Sequence, residues 1–210
     1  MKIDLKKGQK IWFTSDSHYN HGNVCRSTSK WDDKSKTRDF KSLQEMNNRL
    51  VDCINERVDK NDYLFHLGDF AFGGPDFVKE FRSRINCKNL HLILGNHDYR
   101  IKEDVENTQS LFSSVDEYMF LTVFDHDQDE TEKRRFVLCH YPIASWNGMC
   151  HGVIHLHGHL HLPEHLRLGD GMVMDVGVEG NGWAPIEMME VLEIMENQDP
   201  CKPFRMPNPW

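Results

Sequence analysis

Leu90-His91-Leu92-Ile93-Leu94-Gly95-Asn96-His97-Asp98 reads as a short buried strand that stops at a glycine and is followed at once by an amide, an imidazole and a carboxylate. Four other apolar runs end the same way. Lys10 to Asp16 runs into Asp16-Ser17-His18, and Tyr63 to Gly68 into Gly68-Asp69. Arg135 to Cys139 runs into His140, and Val153 to His157 into His157-Gly158-His159-Leu160-His161. Glycine precedes Asp69, Asn96 and His159, as expected where a backbone must turn sharply and present a side chain at close range. In an open α/β sheet the carboxyl ends of the strands converge on one rim, where ligands bind. Five such groups in order along the chain are therefore predicted to meet.

Between these runs, Arg38 to Val58 places Phe40, Leu43, Leu50, Val51, Ile54 and Val58 at helical spacing. Pro75, in the favoured first-turn position, opens a second helix carrying Phe77, Val78, Phe81 and Ile85, and a closing helix runs from Pro185 to about Glu196. Val115 to Phe124 and Met172 to Val176 read as further strands, and the charged run Asp125 to Arg135 as a solvated hairpin tip. This order predicts an α/β fold with helices packed on mixed sheets. No repeat or low-complexity linker divides the chain, so residues 1–196 are expected to form one domain, followed by an extended tail, residues 197–210, with four prolines.

The 210 residues carry 25 Lys and Arg against 33 Asp and Glu, a formal charge of -8, which is the wrong sign for non-specific nucleic-acid binding. A mean hydropathy of -0.63 and the lack of any long uncharged apolar window exclude a membrane-spanning segment. The start of the sequence has no apolar h-region, and six cysteines occur without a C-x-x-C pair, so reduced thiols in the cytoplasm are expected. Histidine is the compositional outlier. Six of its 13 copies lie between His151 and His165, which points toward metal.

Asp16, His18, Asp69, Asn96, His140, His159 and His161 offer two carboxylates, one amide oxygen and four imidazoles. That exceeds the four ligands of a single tetrahedral zinc, and suits two adjacent divalent ions with open positions. Two ions would add +4 against the -2 of their carboxylates, making the site locally positive in an acidic protein and compatible with an anionic substrate. Other chemistries lack their signatures: there is no G-x-S-x-G elbow, no G-x-x-x-x-G-K-[ST] loop and no H-E-x-x-H.

D-x-H, G-D, G-N-H-D, a lone H and G-H-x-H, in that order over roughly residues 10 to 195, resemble the signature of the calcineurin-like metallophosphoesterases. The resemblance implies a four-layer α/β/β/α sandwich of two mixed sheets flanked by helices, with a dimetal site at the strand C-terminal ends. It implies that Asp16, His18, Asp69 and His161 hold the first metal and that Asp69, Asn96, His140 and His159 hold the second, with Asp69 as the bridge. Mn²⁺ is the expected ion, with Fe, Zn, Ni or Mg as alternatives. The implied reaction is phosphoester hydrolysis by in-line attack of a metal-bridging hydroxide. His97 would protonate the leaving oxygen or stabilise transition-state charge, with Asp98 orienting its ring.

Substrate contacts are expected from His21 and Asn23 on the loop after the first ligand pair, from Arg26 and Arg100 as forks for phosphate oxygens, and from Trp146 and Asn147 just past His140. His66, His155 and His157 read as packing or supporting residues, His126 as solvated, and Phe72-Gly73-Gly74-Pro75 as a connector beside the site. Relatives that act on phosphoproteins carry acidic and arginine residues after the G-D pair, whereas this chain reads Phe70-Ala71-Phe72-Gly73. A small, nucleotide-like phosphodiester is thus the expected substrate. The alternatives are phosphomonoester or pyrophosphate hydrolysis at the same centre, and a non-catalytic scaffold.

Overall fold

Apolar strands stacked edge to edge with amphipathic helices outside them build two mixed sheets, seen in a computed structural model that describes residues 1–126 and 131–200. The strands are β1 (Lys2–Asp4), β2 (Ile11–Thr14), β3 (Tyr63–His66), β4 (Asn89–Ile93), β5 (Ser114–Asp116), β6 (Tyr118–Asp125), β7 (Glu132–Cys139), β8 (Ile154–His157), β9 (Val173–Asp175) and β10 (Ile186–Glu187). The helices are α1 (Leu43–Arg57), α2 (Pro75–Arg84), α3 (Tyr99–Glu103) and α4 (Met188–Met195). One sheet has the order β10-β2-β3-β4-β5, parallel except for β10. The other has the order β1-β6-β7-β8-β9, parallel except for the β6–β7 pair.

Phe13, Phe65, Leu67, Leu121, Phe136, Leu138, Leu156 and Met174 fill the space between the sheets, and α4 adds Met188, Val191 and Met195 to the same core. Val51, Ile54 and Val58 from the α1 segment and Val78 and Phe81 from α2 cover the outer face of the β2–β3–β4 sheet, against Leu64, Leu90 and Leu92. This is the sandwich of two mixed sheets that the resemblance implies, with α1 and α2 on the outer face of the β2–β3–β4 sheet. On the outer face of the other sheet the covering layer is the connection from Tyr141 to Val153, which packs Ile143, Trp146 and Met149 on Val137 and Val173.

Three boundaries differ from expectation. The expected strand from Val115 to Phe124 is two strands: β5 pairs with β4, and after Glu117 the chain crosses to the other sheet, where β6 pairs with β1 and β7. Asp116 and Glu117 interrupt the alternation between Val115 and Tyr118, a break that the single expected strand passes over. The first helix begins at Leu43, where the Ser42 hydroxyl accepts the Glu45 N–H, and not at Arg38. The closing helix is shorter than expected because Ile186 and Glu187 pair with β2 as an edge strand. The charge run does join an antiparallel pair; its tip, residues 127–130, and tail residues 201–210 lie outside the described residues. Cys25, Cys53, Cys87, Cys139 and Cys150 are free thiols.

Trp146, expected at the substrate, is 8% exposed and donates its indole N–H to the Val153 carbonyl. A ring enclosed by aliphatic neighbours, with its one polar atom satisfied, is a packing element. Trp146→Ala should cost about 3–5 kcal/mol in a urea titration while leaving divalent-cation affinity by calorimetry within twofold.

His91 in β4 stacks on Phe65 at 4.8 Å and sits 2.9 Å from Ser114 Oγ; burial lowers its pKa to about 4. Burial also lowers His155 to about 4. The unfolded chain, with histidines near 6.5, then binds protons first on acidification. Stability is full above that value and is lost as pH falls from about 6.5 toward 4. The urea midpoint should drop between pH 7 and pH 4.5, less steeply in His91→Leu; equal slopes would show that His91 does not contribute.

Candidate metal centre

Three of the five strands that end at the common rim, β2, β3 and β8, turn by placing an aspartate or histidine in the left-handed region. Asp16 (φ 57°), His18 (46°), Asp69 (54°), His159 (73°) and His161 (53°) all do so. Among residues with a side chain, Asp, Asn and His tolerate this region best, at a cost on the order of 1–3 kcal/mol each. The loops after β2 and β3 run side by side to hold it: Asp16 N–H donates to the Gly68 carbonyl at 3.0 Å, and His18 N–H to the Asp69 carbonyl at 2.9 Å. The Asp16 carboxylate in turn accepts the His159 N–H at 3.0 Å, and the Asp69 carboxylate accepts the His97 N–H at 2.9 Å. A Cβ on Gly95 would lie 2.3 Å from Asp69 Oδ1, and one on Gly158 would lie 2.0 Å from Ser15 Oγ, so these crossings require glycine.

The donors converge. Asp16, His18 and His161 present atoms mutually within 4.8 Å, and so do Asp16, Asp69 and His140. Asp69 Oδ2 stands 3.4 Å from His18 Nε2 and 3.7 Å from His140 Nε2, between the two expected ligand groups. His161 Nε2 lies 3.2 Å from His18 Nε2 and 3.8 Å from Asp16 Oδ1. The Asn96 side-chain oxygen is 3.0 Å from His140 Nε2 and 2.9 Å from His159 Nδ1. The far ring nitrogens of two of these histidines are already engaged: His140 Nδ1 faces the Leu67 carbonyl at 2.8 Å, and His161 Nδ1 faces Glu179 Oε1 at 2.8 Å. Such outer contacts fix ring orientation and leave Nε2 for a cation.

Electrostatics favour ligation at His18 and His159, whereas His161 must give up a proton to ligate. Burial holds the His18 and His159 imidazoles below their usual pKa, hence neutral and able to ligate, while burial pushes the Asp16 carboxyl up. For His161 burial also lowers, but the Glu179 and Asp16 carboxylates outweigh it and raise the ring to about 9. Two carboxylates, four imidazoles and an amide oxygen, with Asp16, His18, Asp69 and His140 buried and His159 and His161 half-buried, form two overlapping three-residue groups that could hold divalent cations.

Arg38 and Glu179 belong to this centre, and sequence reasoning missed both. Arg38 is buried; its guanidinium donates to the Asp16 and Ser17 carbonyls at 2.5 and 2.7 Å and to Glu179 Oε1 at 2.7 Å. Burial alone would raise Glu179, but the Arg38 guanidinium and His161 hold it down near 2. The signals were present but weak. Arg38 stands at the start of an amphipathic run, and Glu179 in Gly177-Val178-Glu179-Gly180.

Asp98 is not oriented at the His97 ring as expected. Its buried carboxylate accepts the backbone N–H groups of Asp69, Phe70 and Gly95 at 2.7, 3.0 and 2.9 Å, tying the β3 and β4 loops together; burial raises its pKa to about 6, against those donors. The His97 ring lies 5.2 Å from that of His18, at the edge of the cluster.

Of the expected substrate residues, His21 and Arg100 reach the site. His21 stacks on Phe72 at 3.8 Å and lies 5.4 Å from His18; Arg100 lines a cleft with His97. Arg26 does not reach it, because its guanidinium is committed to Thr37 and Asp39 of its own loop. Asn23 accepts the Lys30 N–H, holding that loop closed. Asn147 is exposed on the connection that buries Trp146 and, among the described residues, makes no side-chain hydrogen bond. His66, His155 and His157 are buried supports. His126 lies at the surface beside Asp4.

Glu179→Gln removes the charge that holds Arg38 and His161 and should weaken divalent-cation binding about 10–100-fold by titration calorimetry. An unchanged affinity would show that Glu179 does not support the ligand.

Comparison with known proteins agrees with this geometry. Residues 9–170 match the family model described as calcineurin-like phosphoesterase. An uncharacterized protein of Methanocaldococcus jannaschii is 29% identical over 92 residues, covering 43% of this chain and 47% of that protein. The Gene 66 protein of Mycobacterium phage D29 is 30% identical over 115 residues, covering 52% of this chain and 51% of that one. The chain thus spans about half the length of the curated relatives it matches. The crystal structure of a protein of unknown function from Aquifex aeolicus superposes with a TM-score of 0.61 at 20% identity, over 89% of this chain and all of that one, which is a likeness of fold. With the ligand motifs gathered on one rim and most of its length inside the family match, the chain belongs to the calcineurin-like phosphoesterase family.

Proposed function

We propose that this chain is a dinuclear-metal-dependent phosphohydrolase that cleaves a small nucleotide-like phosphodiester, with residues 1–196 acting as one catalytic unit in the cytoplasm. The observation that carries the reading is the meeting of Asp16, His18 and His161, and of Asp16, Asp69 and His140, in two adjoining groups in a chain of this family. Asp16, His18, Asp69 and His161 would hold one cation, and Asp69, Asn96, His140 and His159 the other. Mn²⁺ suits this mixed oxygen and nitrogen set, and Fe, Zn, Ni or Mg are the alternatives. Bound there, two divalent cations supply positive charge to the phosphoryl oxygens and acidify water at neutral pH.

The remaining steps belong to side chains. Asp69 carries two duties: one oxygen faces the two histidines, and the other accepts the His97 N–H and fixes that residue at the rim. The His97 imidazole, half-buried with one side toward the cleft, carries the proton that the departing alkoxide takes from its ring N–H. Asp98 keeps the β3 and β4 loops at fixed separation, so that His97 and Asp69 move together. Support for a diester over a phosphoprotein comes from Phe70-Ala71-Phe72-Gly73, which sets the exposed Phe72 ring and no acidic or arginine side chain directly after Asp69. No helix among the described residues is long and apolar enough to cross a membrane.

His97→Ala should lower kcat on bis(p-nitrophenyl) phosphate by about 10²–10⁴ with cation affinity unchanged, whereas Asp69→Asn should lose both. Wild-type protein loaded with Mn²⁺ should prefer that diester to p-nitrophenyl phosphate. A strong preference for the monoester would replace the diester reading with a phosphomonoesterase, full activity in both variants would show that His97 and Asp69 do not carry the turnover, and no activity in metal-loaded wild type would leave a scaffold.

A further inference from the structure

Trp31, Phe72, Tyr99 and Tyr141 are exposed by 40%, 39%, 52% and 43%, four of the five exposed aromatic side chains among the described residues. Tyr141 touches the donor cluster itself, and the other three lie around His21 and His97 at its edge. Phe72 stacks on His21 and stands 5.8 Å from the His97 ring, and Trp31 lies edge-on to His21 at 6.1 Å. Phe72, His97, Tyr99 and Arg100 line a cleft of about 180 Å³ whose other walls are small or aliphatic and which contains no carboxylate. An apolar cavity of roughly 150 Å³ takes up a benzene ring, so this cleft holds one planar group. Tyr141 flanks the other ligand group, 4.8 Å from the His159 ring and 5.0 Å from the His140 ring.

Rings left in water beside a cation-binding knot are sites for base stacking, a contact that tolerates any base because every base has a π-face. We propose, resting on the phosphohydrolase reading, that the substrate is a phosphodiester with a planar, nucleobase-type group on each side of the scissile phosphorus. The leaving side stacks in the Phe72–Tyr99 cleft beside His97, and the other side stacks on Tyr141. Arg100, whose guanidinium lies 5.4 Å from the Tyr99 ring, sets a cation at the cleft for the electron-rich edge of the leaving group. The net charge of -8 removes the electrostatic grip that a long strand requires, so the ligand is of dinucleotide size.

Two esters sharing one leaving group separate the sides: bis(p-nitrophenyl) phosphate and methyl p-nitrophenyl phosphate. Wild-type protein should favour the first at least tenfold in kcat/KM, through KM. Tyr141→Ala should shrink that ratio at least fivefold, and Tyr141→Phe should restore it because only the hydroxyl is lost. Phe72→Ala should raise KM for both esters five- to tenfold. A ratio near one in wild type, or a ratio unmoved by Tyr141→Ala, would overturn the proposal. Saturation-transfer NMR on a dinucleoside monophosphate with the Ca²⁺-loaded protein reads stacking without turnover. Base-proton transfer that falls in both alanine variants while neither ester is cleaved would sink the hydrolase reading and leave the stacking one. Cleavage of both esters with no base-proton transfer would do the reverse.

Discussion

The structure depends on a single constraint: five strand ends from two sheets must place acidic and imidazole side chains within a few ångströms of one another, out of water. Left-handed turns at Asp16, His18, Asp69, His159 and His161 aim those side chains inward at an energetic cost. Backbone hydrogen bonds between neighbouring loops offset it. Each ligand carboxylate also accepts an N–H from a neighbouring strand's loop, His159 on Asp16 and His97 on Asp69, so the ligands are part of the scaffold that positions them.

Charge at the rim is compensated by specific partners and by backbone groups. Arg38 enters between the loops to cap the Asp16 and Ser17 carbonyls and to pair with Glu179, which in turn holds His161. Asp98 performs the equivalent service with three backbone amides and no cation. A buried positive group and a buried carboxylate thus brace the same knot from two sides. Removing one partner of such a pair costs more than the pair contributes, because a charge is left without compensation.

Around that polar knot lie the large apolar cores, which do the ordinary work of burial. The inter-sheet core ends below the rim, and Trp146 with the Tyr141 to Val153 connection seals the face that no α-helix covers. The aromatic side chains therefore divide into two kinds. Phe13, Phe65, Phe136 and Trp146 are enclosed and satisfied, whereas Trp31, Phe72, Tyr99 and Tyr141 stand in water around His21, His97 and the donors His140 and His159.

The ligand motifs were legible because each is local: an apolar run, a turn, then a donor within one to three residues. The same locality explains the failures. The break at Glu117 is a change of pairing partner, and Arg38 earns its place only by meeting Glu179 across 141 residues. Trp146 and Arg26 looked available because sequence shows a side chain's chemistry but not the neighbours that occupy it; the Val153 carbonyl takes the indole, and Thr37 and Asp39 take the guanidinium. What the chain alone determined is which donors exist, in what order, and that strands deliver them. Tertiary structure decided their spacing, their left-handed turns, their Arg38–Glu179 brace and which aromatic rings stay in solvent, since all of these depend on contacts between segments far apart in the chain.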